Sequence, residues 1–202
     1  MVLHDENILD SYNPENILRK VFLEYGQVSL RDHSDIFDYS GFRREFYTFP
    51  NSENPLSFQK KRRDVLLEFI EGIPVELHGK NRFCASLDEL IRNAQKHGNK
   101  HQEDKNVGLA WRMSEVGNKG ILEVIVEDEG GELDSQFIPY IMELKKSIVN
   151  GASLDGYYDY LSQTPPEGHS GSGLKAVSFY FDDIDFYKSD LGGLAVKTVK
   201  EM

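Results

Sequence analysis

The chain has 202 residues, 39% hydrophobic and 28% charged, which suits one domain with a proper core and argues against wholesale disorder. Its 34 acidic residues outnumber 23 basic ones, and the net charge of −11 repels nucleic acid and anionic membrane surfaces. One cysteine, Cys84, excludes an intramolecular disulfide and a cysteine-rich zinc module. No apolar run reaches the length of a membrane span, and the acidic N-terminus lacks the pattern of a signal peptide. The expectation is a cytoplasmic protein with neither nucleic acid nor membrane as a partner.

Residues 1–42 read as an acidic N-terminal extension that docks on the domain or on a partner, and residues 43–202 as the domain itself. Residues 44–49, Arg44-Glu45-Phe46-Tyr47-Thr48-Phe49, are rich in aromatic and β-branched side chains and read as a strand. A helix is predicted over 57–71, with Phe58, Val65, Leu66, Phe69 and Ile70 on one stripe. Its basic run, Lys60-Lys61-Arg62-Arg63, reads as a solvated face. A second helix should run from about 80 to 97 and stop at Gly98. Strands at 107–114 and 121–128 pair across the turn formers Gly117 to Gly120. A long connection, 135–170, follows, then a helix from Gly173 to about Phe181, then strands at 183–189 and 193–200. Segregated strand pairs and helices predict an α+β fold. It is a two-layer sandwich whose mixed sheet is covered on one face by helices.

Three places carry chemistry. On the second helix, Phe83, Leu87, Leu90, Ile91 and Ala94 share the core stripe. Glu89, Asn93 and His97 lie four apart on its flank, and Asp88, Arg92, Gln95 and Lys96 fall on the solvated side. A carboxylate and a carboxamide one turn apart suit a hard cation such as Mg²⁺. Equally, Ser86-x-x-Glu89 fits a capping box, which would make Glu89 only a cap. On the strand, Leu122, Val124, Val126 and Asp128 point to one apolar face. A carboxylate at the end of that face needs a donor. The exocyclic amine of adenine is one, and a strand-ending turn is the alternative. Gly130 lets the backbone approach a flat ring. Finally, His169-Ser170-Gly171-Ser172-Gly173-Leu174 opens a helix, where backbone N–H groups favour a phosphate. Read blandly, it is a flexible connector, and it is not a Walker loop.

Taken in order, Glu89-x-x-x-Asn93-Ala94-x-x-His97-Gly98, Asp128-x-Gly130 and Gly171-x-Gly173-Leu174 resemble the N, G1 and G2 boxes of the GHKL ATPase superfamily. Within it they are most similar to the bacterial anti-sigma factor serine/threonine kinases. The resemblance covers about residues 43–200. It implies the Bergerat, histidine-kinase-like ATPase fold, with residues 135–170 as the ATP lid. It implies ATP and Mg²⁺ as cofactors, with Asn93 as metal ligand and Glu89 as the base toward a partner's hydroxyl. Asp128 and Gly130 would take the adenine, Gly171, Ser172 and Gly173 would line the phosphates, and Leu174 would belong to the same cofactor-binding set. His97 stands at a motif position of the same site. The implied partners are an anti-anti-sigma-like protein substrate and a sigma factor, and a homodimer is common among such proteins. Glu132 and the tyrosines of the lid depart from the pattern, and motivate the alternative of a non-catalytic partner-switching regulator.

Overall fold

The computed structural model describes residues 36–51, 54–74, 77, 79–130, 173, 177 and 180–202, which all belong to one compact unit spanning 31–133 and 169–202. Its elements are β1 (Arg43–Thr48), α1 (Pro55–Glu71), α2 (Lys80–Asn93), β2 (Asn106–Val116), β3 (Lys119–Asp128), β4 (Asp183–Lys188) and β5 (Leu194–Glu201). Each expected strand and helix that falls on these residues is present, displaced at its ends by a residue or two. The helix expected from Gly173 to about Phe181 lies mostly outside the described residues, which include Gly173 and Val177 as helical.

The sheet runs in the order β1-β2-β3-β5-β4. Every neighbouring pair is antiparallel, which corrects the mixed sheet that the sequence suggested. The reason is topological. β2–β3 and β4–β5 are hairpins, antiparallel by construction. The second hairpin then joins through β5, which runs against β3. A parallel bridge forms only outside the named strands, between Ile36 and Lys188. The β2–β3 turn is tighter than the four-residue loop expected. Val116 pairs with Lys119, so only Gly117 and Asn118 turn, and Gly117 takes the left-handed φ of 64° that this geometry favours.

Pro55 stands at the start of α1, where its missing N–H is no loss. The apolar stripe Phe58, Val65, Leu66, Phe69 and Ile70 is buried as its spacing requires. Lys60, Lys61 and Arg63 are exposed, but Arg62 is not simply solvated. Its guanidinium lies 4.6 Å over the Phe58 ring and donates from Nε to Asp88 Oδ1 at 2.7 Å, which ties α1 to α2. α2 starts after Gly79, so Ser86 sits in mid-helix and fully buried. The capping-box reading of Ser86 and Glu89 is therefore wrong: the helix is capped at Gly79, seven residues before Ser86.

Register decides which side chains face the helices. Val107, Leu109, Trp111 and Met113 of β2 stand opposite Asp128, Val126, Val124 and Leu122 of β3. Trp111 approaches Gly72 at the end of α1, and Asp128 touches Gly98 just past α2, so this is the helix-covered face. The opposite face holds Ala110, Ile125, Tyr187 and Ala195, and it is covered by an N-terminal strap, 37–42, that lays Phe37, Tyr39 and Phe42 on them. The strap is anchored by Phe37 N–H donating to Lys188 O at 2.9 Å. Charges accompany the apolar contacts there. Arg112 lies 4.4 Å over Phe42 and bonds Glu123, which Lys197 pairs from its other side.

Two outcomes test this packing. Leu87→Ala empties a fully buried site and should cost about 2–5 kcal/mol in denaturant unfolding. Leu56→Ala, at a position 79% exposed, should stay within about 0.5 kcal/mol. Burial alone would raise the Glu123 carboxyl, but hydrogen bonds from Lys197 and Arg112 outweigh it and hold the group below its usual value. A folded value below the unfolded one stabilises the fold above about pH 4.3 and loses that stabilisation as the pH falls. Glu123→Gln should flatten the acid limb of midpoint against pH; an unaltered limb contradicts this.

Candidate functional site

α2 does not end as an ordinary helix. After Asn93 the chain widens into a π turn, Ala94–Gly98, and the Asn99 N–H donates five residues back to Ala94 O at 2.7 Å. Such turns are rare and concentrate at functional sites. Lys100 and His101 follow with φ of 52° and 64°, uncommon for residues with a β-carbon. Wider winding rotates Gln95 inward, so it is fully buried rather than on the solvated side where a uniform helix puts it.

Gln95 and Asn99 form a clasp. Gln95 Nε2 donates to Gln102 O at 3.1 Å. Asn99 Nδ2 donates to Asn106 O at 2.9 Å, and Asn99 Oδ1 accepts from Glu129 N–H at 2.9 Å. The clasp thus ties the helix end to the first residue of β2 and the exit of β3. Asn106 adds a bond from Nδ2 to Glu129 Oε1 at 2.6 Å.

That tie presses Gly98 onto Asp128. Asp128 is 4% exposed and lies on the helix-covered face, as alternation along β3 requires. Its Oδ1 accepts from Gly130 N–H at 3.1 Å and from Leu194 N–H at 3.2 Å. A β-carbon on Gly98 would overlap the carboxylate, and one on Gly193 would overlap both the carboxylate and the Asp128 carbonyl oxygen. Asp128 therefore occupies a niche that only glycine walls permit. Lys105 stands at its edge: a β-carbon on Gly130 would lie 2.5 Å from Lys105 Nζ and 3.1 Å from Gly98 O.

Glu89 lies further back along α2, with its side chain 14% exposed. Arg92 Nη2 donates to both of its oxygens, at 2.6 Å to Oε1. Gly173 rests on the same carboxylate so closely that a β-carbon would overlap it. Asn93 is half-buried, and its side chain makes no hydrogen bond to another described residue; His97 is exposed. Glu89 is thus brought together with Gly173, and Asp128 with Gly98, Gly130 and Gly193. Gly171, Ser172, Leu174, Glu132 and the lid stretch 135–170 lie outside the described residues.

Five participants were not anticipated from the sequence. Arg92 had a usable signal, its i,i+3 spacing from Glu89. Gln95 and Asn99 had none, because the π turn that buries them breaks the helical period. Gly193 and Lys105 reach the niche only through strand pairing and loop placement.

No group of three or more His, Cys, Asp or Glu among the described residues is placed to hold a metal ion. Asn93, the metal ligand expected from the sequence, offers one half-buried carboxamide oxygen. That fits a Mg²⁺ held chiefly by phosphate oxygens and water, the usual shell of that ion at nucleotides. No described helix is long and apolar enough to cross a membrane. No protein-family model matches the chain, and a search of curated proteins finds no match.

The glycine walls give a direct test. Gly193→Ala should destabilise by about 1–3 kcal/mol, because the added methyl meets backbone as well as side chain. Gly120→Ala, whose methyl would meet only Met202 and Met113 at 3.6 and 3.9 Å, should be nearly neutral in the same denaturant titration. Equal costs would contradict the niche.

Proposed function

We propose that the chain is an ATP- and Mg²⁺-dependent serine/threonine protein kinase of the anti-sigma type, acting on an anti-anti-sigma-like partner. The observation that carries this reading is the Asp128 niche. A buried carboxylate stands at a strand end, walled by glycines and adjoined by the end of the Glu89–Asn93 helix. The motif order and the packing of Gly173 on Glu89 support the same reading. Bound ATP would give its adenine amine to Asp128 and lay its ring along Gly130. Mg²⁺ on Asn93 would neutralise the phosphate charge. Phosphoryl transfer needs mainly such positioning.

In the step itself, a partner's hydroxyl oxygen bonds to the γ-phosphorus as the bond to the ADP oxygen breaks. The hydroxyl proton passes to Glu89. Glu89 is held by Arg92, so the pair must loosen before that carboxylate can accept a proton.

The same ion pair favours a second reading, a non-catalytic nucleotide-binding regulator that switches partners, in which Glu89 stays engaged. Labelled ATP, Mg²⁺ and an anti-anti-sigma-like protein separate the two. The kinase reading expects label on a partner serine or threonine, and Glu89→Gln to lower the rate about 100-fold or more while nucleotide still binds. Nucleotide binding without transfer would favour the regulator; full transfer by Glu89→Gln would remove Glu89 from the chemistry.

A further inference from the structure

Glu127 precedes Asp128 on β3 and points to the opposite face. It is fully buried. Gly108 faces it across the β2–β3 pair, where any β-carbon would overlap its carboxylate. Tyr39 Oη donates to Glu127 Oε2 at 2.5 Å, and Ser189 Oγ donates to the same oxygen at 2.6 Å. Arg44 donates from Nε to Oε1 at 2.6 Å and from Nη2 to Oε2 at 2.7 Å, and also pairs with Asp190. The Arg44 guanidinium lies 3.7 Å over the Tyr39 ring. Burial and the Glu127 carboxylate push the Tyr39 phenol well above its usual range, so it remains a donor.

Ser189 and Asp190 begin the β4–β5 turn, and that turn ends on Asp128. Leu191 N–H donates to Ser189 Oγ at 3.0 Å, and Ser189 N–H donates to Gly193 O at 2.8 Å. Gly193 presses on Asp128, and Leu194 N–H donates to its Oδ1. One hydrogen-bonded turn is therefore gripped at its start by Glu127 and supplies at its end a wall and a donor to Asp128.

We propose that the strap, through Tyr39 and together with Arg44 of β1, acts on Glu127 and the 189–194 turn as a positioning element for Asp128 and sets the affinity of its niche for the adenine end of a nucleotide. The affinity half rests on the function proposed above; the positioning half rests on the hydrogen bonds alone. A partner that lifts the strap would then weaken nucleotide binding from the far side of the sheet.

Tyr39→Phe tests this, since it keeps the ring on Phe37 and Arg44 and removes only the hydroxyl donor. Phe42→Leu is the control, because it loosens the same strap at Arg112 without touching Glu127. Amide exchange at Leu194 and Gly130 should quicken about fivefold or more in Tyr39→Phe relative to Phe42→Leu, the size expected for a lost bond to a charged acceptor. Affinity for ADP and adenosine should fall by a similar factor, while that for inorganic triphosphate stays unchanged. An unmoved Leu194 amide, or equal quickening in both variants, overturns the relay whatever the chain does with nucleotide. A wild-type chain that takes no nucleotide overturns the kinase reading and the affinity half together. The exchange result then decides the positioning half.

Discussion

Two consecutive buried carboxylates, Glu127 and Asp128, organise this domain. The pleat of β3 sends them to opposite faces, so neither face can be left open to water without exposing one of them. They are satisfied differently. Glu127 receives a guanidinium, a phenol and a serine hydroxyl, the set a fully buried charge needs. Asp128 receives backbone N–H groups at the ends of two elements. The helices cover one face, and the strap covers Ala110, Ile125, Tyr187 and Ala195 on the other. Removing Arg44 alone would strand the Glu127 charge, a defect that typically costs about 3–5 kcal/mol.

Local preference gives way to the fold at one corner. A π turn, two left-handed residues with side chains and three close glycine contacts gather around Asp128. Each departure is unfavourable alone, and each is held by the Gln95–Asn99 clasp or by strand pairing. Departures of that kind collect where a structure serves something besides its own stability. The corner that breaks the local rules is also the corner where Gly98, Asp128 and Gly130 of the motifs meet. That coincidence, rather than any single residue, gives the nucleotide reading its weight.

Much of the fold was legible in the sequence because its signals are local. The β3 alternation placed Asp128 on the core face correctly, and the apolar stripe of α2 is the stripe that is buried. Glycines 117 and 98 marked a turn and a helix end. What was not legible depended on contacts distant in sequence. Strand direction follows from which member of the β4–β5 hairpin docks on β3, and nothing in either strand encodes that choice. Ser86 looked like a cap because the capping pattern is short; Gly79, in a left-handed conformation, is the true start. Gln95 was misplaced because a uniform 3.6-residue period cannot anticipate a widened turn. Tyr39 and Arg44 gave no sign of Glu127, which lies 88 and 83 residues away. The strap reads as acidic extension by composition, and only the aromatic cover it lends to Ala110 and Ile125 reveals its part in the domain.

In the proposed function, Asp128 is the group that recognises a purine. Asparagine there keeps the acceptor oxygen for Gly130 and Leu194 but loses the charge and presents an amine to the ligand. Calorimetric titration of ATP with Mg²⁺ into the wild-type chain and Asp128→Asn tests it most directly. Saturable binding by the wild type, weakened about tenfold or more in a variant that remains folded, is the predicted result. No heat of binding in the wild type, or equal affinity in the variant, would contradict it.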